Sequence, residues 1–267
     1  MTSVILAGGL GTRLRPILPN RPKVLAEVSG RPFLSYIFEQ LISAGVRKVV
    51  LCTGHRAQMI LELFGSTYKS LDLKYSTEDR PLGTAGALRL ALPYLSSEYV
   101  LVMNGDSFVD TQLGTYGQWF FEQERRGALL LTEVLDTGRY GRVSFSASGQ
   151  ILSFDEKKVS SGPGWINAGI YIFSTSLLED IPEGKFASLE SEFLPQWIGG
   201  GLYGYPCRAS FIDIGVPDSY AFADRFFGSI TEKPPKNKTD SSSAPKARPA
   251  SGKPDGNRSA NNTFQRK

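Results

Sequence analysis

One stretch restricts this chain more than any other: Val4-Ile5-Leu6-Ala7-Gly8-Gly9-Leu10-Gly11-Thr12-Arg13-Leu14-Arg15-Pro16. It starts as a short apolar run, the pattern of a buried strand. It then breaks at Gly8, Gly9 and Gly11, where no β-carbon keeps the backbone away from a ligand. Arg13 and Arg15 follow, and Lys23 comes ten residues after Arg13. A strand, a glycine turn and clustered cations make a polyphosphate site, because backbone N–H groups face the anion while the cations neutralise it. Two commoner glycine motifs are excluded. Leu14 stands where a dinucleotide fingerprint has its third glycine, and the Gly-Lys-Ser/Thr ending of a P-loop is missing. An ordinary tight turn would explain the glycines alone; Arg13, Arg15 and Lys23 gathered around it weigh against that reading, since such charges gain little from company without an anion.

The following residues alternate strand and helix patterns. After a first strand at 3–7, Phe33, Leu34, Ile37, Phe38 and Leu41 recur with a period near 3.6 and predict a helix over 33–44, closed by Gly45. Strands are expected at 46–52, 71–76, 98–103 and 128–135, and helices at 56–64, 84–92 (with Thr84 as its cap) and 113–126. This order predicts an α/β, doubly wound, mostly parallel, Rossmann-like sheet. Ligands bind such sheets beyond the carboxyl ends of the strands, which places Gly8–Arg13 and Asn104-Gly105-Asp106 in one crevice. From Gly138 the chain becomes β-rich. A hairpin is expected at 142–146 with 150–155, a strand at 165–173, short helices at 177–178 and 188–197, one strand over 204–212, and a closing helix at 217–227.

Composition bears on the ends of the chain. Of its 267 residues, those from Ser229 onward hold nine Lys or Arg and three Asp or Glu; removing them from the totals of 30 and 26 leaves 21 and 23 in residues 1–228. The basic pI near 9.0 therefore belongs to the tail and does not mark a nucleic-acid-binding domain. Residues 229–267 are dominated by Lys, Pro, Ser, Asn and Gly and are expected to be disordered. The tail is open between a solvated extension and a polyanion-touching arm. Cys52 and Cys207 do not make a disulfide framework. No leader pattern or bilayer-length apolar run is seen, so a soluble, cytoplasmic protein without membrane or nucleic-acid partners is expected. His55, the single histidine, reads as a loop or helix-entry residue.

The first stretch, continued through Asn20-Arg21-Pro22-Lys23, resembles the signature of the sugar-1-phosphate nucleotidyltransferases. Pro81-Leu82-Gly83-Thr84-Ala85-Gly86-Ala87-Leu88, Asn104-Gly105-Asp106, Tyr140-Gly141, Phe154-Asp155-Glu156-Lys157, Ile166-Asn167-Ala168-Gly169-Ile170-Tyr171 and Ile212-Asp213-Ile214-Gly215 follow in the family's order, over residues 2 to 227. The Leu82–Leu88 segment is similar to the mannose-1-phosphate guanylyltransferase branch. Asp136-Thr137-Gly138-Arg139-Tyr140-Gly141, with the short length, looks closest to the D-glycero-D-manno-heptose 1-phosphate guanylyltransferases.

The resemblance implies a Mg²⁺-dependent enzyme that joins a sugar 1-phosphate to a nucleoside triphosphate and releases pyrophosphate. It divides the chain into a nucleotide-binding half (1–137), a sugar-phosphate-binding half (138–228) and the tail. It implies Asp106 and Asp213 as metal ligands, Arg13 on the departing pyrophosphate, Lys23 near the reacting phosphorus and Lys157 on the sugar phosphate. Nucleotide contacts are implied for Leu6, Ala7, Gly8, Gly9, Gly11, Thr12, Glu78 and Gly83, and sugar contacts for Gly141, Glu156 and Asn167. Asn167 is open between that role and stabilising its own turn, and Arg15 between a phosphate contact and a surface charge. The chemistry needs no side-chain nucleophile, since a phosphate monoester with a second pKa of about 6 is mostly dianionic at neutral pH. A carboxylate at Glu78 accepts hydrogen bonds only and suits the two donors of a guanine edge, which favours GTP over UTP or dTTP. Rival expectations are mannose-1-phosphate guanylyl transfer, uridylyl transfer, and a non-catalytic nucleotide-sugar sensor. Retention of Arg13, Lys23, Asp106, Lys157 and Asp213 weighs against the sensor. The oligomeric state is left open, and a homo-oligomer is compatible with the sequence.

Overall fold

A computed structural model describes residues 1–123, 125–155 and 162–231. In chain order the strands are β1 (Thr2–Leu6), β2 (Glu27–Val28), β3 (Arg31–Pro32), β4 (Lys48–Thr53), β5 (Thr67–Tyr68), β6 (Leu71–Thr77), β7 (Tyr99–Asn104), β8 (Ser107–Val109), β9 (Gly127–Val134), β10 (Val143–Phe145), β11 (Ile151–Phe154), β12 (Gly164–Ser174), β13 (Leu202–Cys207) and β14 (Phe211–Asp213). The α-helices are α1 (Phe33–Ser43), α2 (Ala57–Phe64), α3 (Gly83–Ala91), α4 (Leu113–Phe121), α5 (Thr175–Leu178), α6 (Pro217–Ala221) and α7 (Ala223–Thr231).

Eight strands form one sheet in the order β13-β9-β12-β7-β1-β4-β6-β5. The pairs β1–β4, β1–β7, β4–β6 and β9–β13 are parallel, as the strand–helix alternation requires. Strand β12 runs antiparallel to both β7 and β9 and separates them. Of the β-rich part, β12 and β13 are thus built into the same sheet as the first half, while β10 and β11 pair only with each other. Successive residues of β1 and β7 face opposite ways: Ile5, Leu101 and Met103 pack on one side with α1 and α7, while Val4, Val100 and Val102 pack on the other with α3. Burial on both faces is why these strands read as unbroken apolar runs.

Four boundaries differ from expectation. Helix α4 stops at Phe121 because the buried Arg125 guanidinium folds back onto the carbonyls of Trp119 and Phe120. Thr84 does not cap α3; Leu82 holds that position, and the Thr84 hydroxyl accepts from the Leu189 N–H at 2.7 Å. The single strand expected over 204–212 is two: β14 leaves the main sheet and pairs antiparallel with β8. The closing helix expected over 217–227 is two, α6 and α7, and α7 runs on to Thr231 with Ile230 packed against the core, so Ser229 lies in the helix. Residues 232–267 lie outside the described residues.

Candidate active site

A cavity of about 410 Å³ opens beyond the carboxyl ends of β1 and β7. Leu6 closes β1, and Gly8 and Gly9 carry the chain along the cavity wall. Across from them, Gly105 follows β7 and donates its N–H to the Leu6 carbonyl at 3.0 Å. A β-carbon there would lie 2.8 Å from that carbonyl and 2.9 Å from Val24 Cγ1, so only glycine lets the two strand ends meet so closely. This contact sets Asp106 beside the glycine loop.

Asp213 reaches the same place by another route. The β8–β14 register puts it opposite Ser107, and the Ile214 N–H donates to the Asp106 carbonyl at 2.9 Å. Burial first, and then the nearby Asp106 charge, push the Asp213 carboxyl above its usual range. Each acid has a cation at hand. The Lys23 ammonium pairs directly with Asp106, and Arg139 Nη2 lies 3.7 Å from Asp213 Oδ2. Arg13 lines the same cavity, its guanidinium beside Gly215.

Two carboxylates brought together against the cost of burial suit a hard divalent cation. No group of three or more His, Cys, Asp or Glu side chains placed to hold a metal occurs among the described residues. A pair still fits Mg²⁺, which is commonly held by one or two carboxylates together with substrate phosphates.

At the other end of the cavity, Glu78 stands over the glycine loop. A β-carbon on Gly8 would lie 3.1 Å from Glu78 Oε1, while Oε2 accepts the Leu82 N–H at 3.0 Å. Burial raises the Glu78 pKa, and the Leu82 N–H opposes the rise. Gly83, with φ at +72°, follows directly; its added β-carbon would meet the Ala187 carbonyl at 2.4 Å. Cys52 also lines the cavity, but burial and then Glu78 drive its thiol far up, and its Sγ faces the Ala87 carbonyl at 3.5 Å. Both cysteines are free.

Leu6, Gly8, Gly9, Arg13, Lys23, Glu78, Gly83, Asp106, Asn167 and Asp213 therefore share one cavity. Asn167 lines it while serving its own bulge: its Oδ1 accepts from Gly169 N–H at 3.0 Å and its Nδ2 donates to Tyr171 at 2.8 Å. Four expected residues are not on its wall. Ala7 is buried and gives its N–H to Cys52, because it continues the β1–β4 ladder. Gly11 and Thr12 lie past the bend, where Gly11 accepts the N–H groups of Leu14 and Arg15. Gly141 is buried, with its N–H on the Thr137 carbonyl at 3.0 Å. Glu156 and Lys157 lie outside the described residues. His55 and Arg15 border a separate small pocket instead.

Arg139, Tyr140, Phe186 and Glu190 also line the cavity, beyond the contacts expected from the sequence. The first two sit inside the 136–141 motif, which was the available signal. Phe186 and Glu190 had none, since a Phe beside an Ala and a Glu among serines look ordinary.

The sequence profile described as nucleotidyl transferase matches residues 2–229. The D-glycero-alpha-D-manno-heptose 1-phosphate guanylyltransferase of Aneurinibacillus thermoaerophilus is 35% identical over 84% of this chain and 97% of its own length. The mannose-1-phosphate guanylyltransferase catalytic subunit beta of Drosophila melanogaster is 38% identical over 82% of this chain, which spans 60% of that protein. The crystal structure of HddC from Yersinia pseudotuberculosis complexed with GMP-PN superposes with a TM-score of 0.75 at 34% identity, covering 85% of this chain and 99% of that one.

Proposed function

This chain belongs to the nucleotidyl transferase family, and from that premise we propose that it joins D-glycero-α-D-manno-heptose 1-phosphate to GTP, giving the GDP-sugar and pyrophosphate. The observation that carries this reading is the convergence of Arg13 and Lys23 from the glycine loop with Asp106 and Asp213 in one cavity. A phosphate oxygen of the sugar 1-phosphate attacks the α-phosphorus of GTP. The bond from that phosphorus to the bridging oxygen breaks, and pyrophosphate leaves with the electron pair. The nucleophile is already ionised, so the barrier is repulsion between anions.

The side chains divide that task. Lys23 neutralises the phosphates beside the reacting phosphorus, and Arg13 takes up charge on the pyrophosphate as it departs. Asp106 and Asp213 would hold Mg²⁺, which supplies Lewis-acid neutralisation of the phosphates. Lys157 and Glu156 are assigned to the sugar phosphate and the sugar hydroxyls. Glu78 accepts the N1–H and N2–H₂ donors of guanine; the single N3–H of uracil or thymine, flanked by carbonyl acceptors, suits it less. The similarity to heptose 1-phosphate guanylyltransferases over nearly their whole length supports the sugar assignment. The Drosophila relative makes mannose 1-phosphate the competing acceptor.

Pyrophosphate release, measured for GTP, UTP and dTTP against heptose, mannose and glucose 1-phosphates, tests the assignment. Turnover is expected with GTP and the heptose phosphate. Turnover with UTP but not GTP would remove the guanylyl assignment, and a preference for mannose 1-phosphate would replace the acceptor. Silence with every pair would favour a sensor.

A further inference from the structure

Phe186 is an anomaly at the rim of the cavity. It is 64% exposed and lines the cavity, while the chain on either side of it is held by hydrogen bonds. The next residue, Ala187, donates its N–H to the Leu82 carbonyl at 2.8 Å and accepts the Ala85 N–H at 2.9 Å. The Leu189 N–H is tied to Thr84, and the Gly184 carbonyl accepts from Arg80 Nη2 at 2.9 Å. The segment is thus held to the start of α3 after the ring, and to Arg80, three residues ahead of α3, before it. The ring itself lies against Gly83: an added β-carbon there would sit 3.2 Å from Phe186 Cε2. Glu78 holds the same helix start through the Leu82 N–H. The exposed face of this apolar ring contributes little to the fold, whereas a flat ligand laid on it would bury it.

We propose that Phe186 is the face on which the nucleobase of the triphosphate stacks, and that it favours a purine over a pyrimidine. The inference rests on the reading of Glu78 and Gly83 as the edges of the base site. A bicyclic base covers more of a phenyl ring than a monocyclic one, and base–aromatic stacking tolerates substitution on the base. The carboxylate then reads the base edge while the ring holds its face.

The full-length Phe186→Ala variant tests this, because the side chain is exposed and its loss leaves the core intact. GTP dissociation constants measured by calorimetry should rise about tenfold or more, the scale of one lost base–aromatic stack. The KM for GTP should follow, kcat and the KM for sugar 1-phosphate should hold within about twofold, and the GTP-over-UTP preference should shrink. Phe186→Trp should bind GTP at least as tightly as the parent and gain tryptophan fluorescence that GTP quenches. Glu78→Gln, run in parallel, separates the layers of the claim. Weaker GTP binding in Glu78→Gln with none in Phe186→Ala leaves the base site standing and overturns the stacking. No change in either variant overturns both. A raised sugar-phosphate KM with unchanged GTP binding assigns the ring to the other substrate and overturns the proposal.

Discussion

Glu78 carries its charge at a cost that the fold must cover. Burial lifts its pKa above the usual 4.5, so the folded protein binds that proton more tightly than the unfolded chain does. Stability therefore falls as pH rises from 4.5 through the raised value, and above that window the full penalty stands. Glu78→Gln keeps an oxygen for the Leu82 N–H and removes the charge. Its melting temperature should exceed the parent's at pH 7 and converge with it as pH drops to about 4.5. The same variant should bind GTP more weakly. Asp213→Asn and Asp106→Asn should each lower kcat/KM about 100- to 1,000-fold. Each should also weaken Mn²⁺ binding followed by electron paramagnetic resonance, a readout that does not depend on turnover. At this scale the sequence exposed residues whose chemistry is tied to a strand end, such as Arg13 and Asp106. Arg139 and Phe186 are not legible at this scale, because their places on the cavity wall depend on neighbours that the fold brings from Asp213 and Gly83.

Elements were legible where their cause is local. The period of α1 and the apolar runs of β1, β4 and β7 come from burial against a sheet, and their bounds match to within two residues. Failures came where a contact that the local pattern does not encode decides the end. Helix α4 is followed by Glu122 and Gln123, which favour helix, yet it ends at Phe121, where Arg125 folds back onto the carbonyls of Trp119 and Phe120. Arg125→Ala should cost about 2–3 kcal/mol by urea unfolding, from lost charge-assisted hydrogen bonds and its stacking on Trp119. Arg125 is off the cavity, so kcat of the folded enzyme should be unchanged. The break between β13 and β14 was likewise invisible, because the pairing partner of β14 is β8, about a hundred residues earlier. That break places Asp213 in the site.

At the scale of the molecule, the chain from 1 to 231 carries every described residue of the cavity. Deleting residues 232–267 should leave steady-state turnover and melting temperature unchanged. Cutting at 228 removes Ile230, which packs against the core, and should lower the melting temperature. Most of the sheet's strands are readable, β5 excepted, and its order is not: nothing local marks β12 as the strand that separates β7 from β9. That placement has a consequence during synthesis. As the polypeptide leaves the ribosome, β7 and β9 emerge well before the strand that belongs between them. Until Ser174 has cleared the exit tunnel, both present bare hydrogen-bonding edges to whatever is nearby. A nascent chain stalled after β9 has emerged and before Ser174 should bind holdase chaperones, and one released after Ser174 should bind them less.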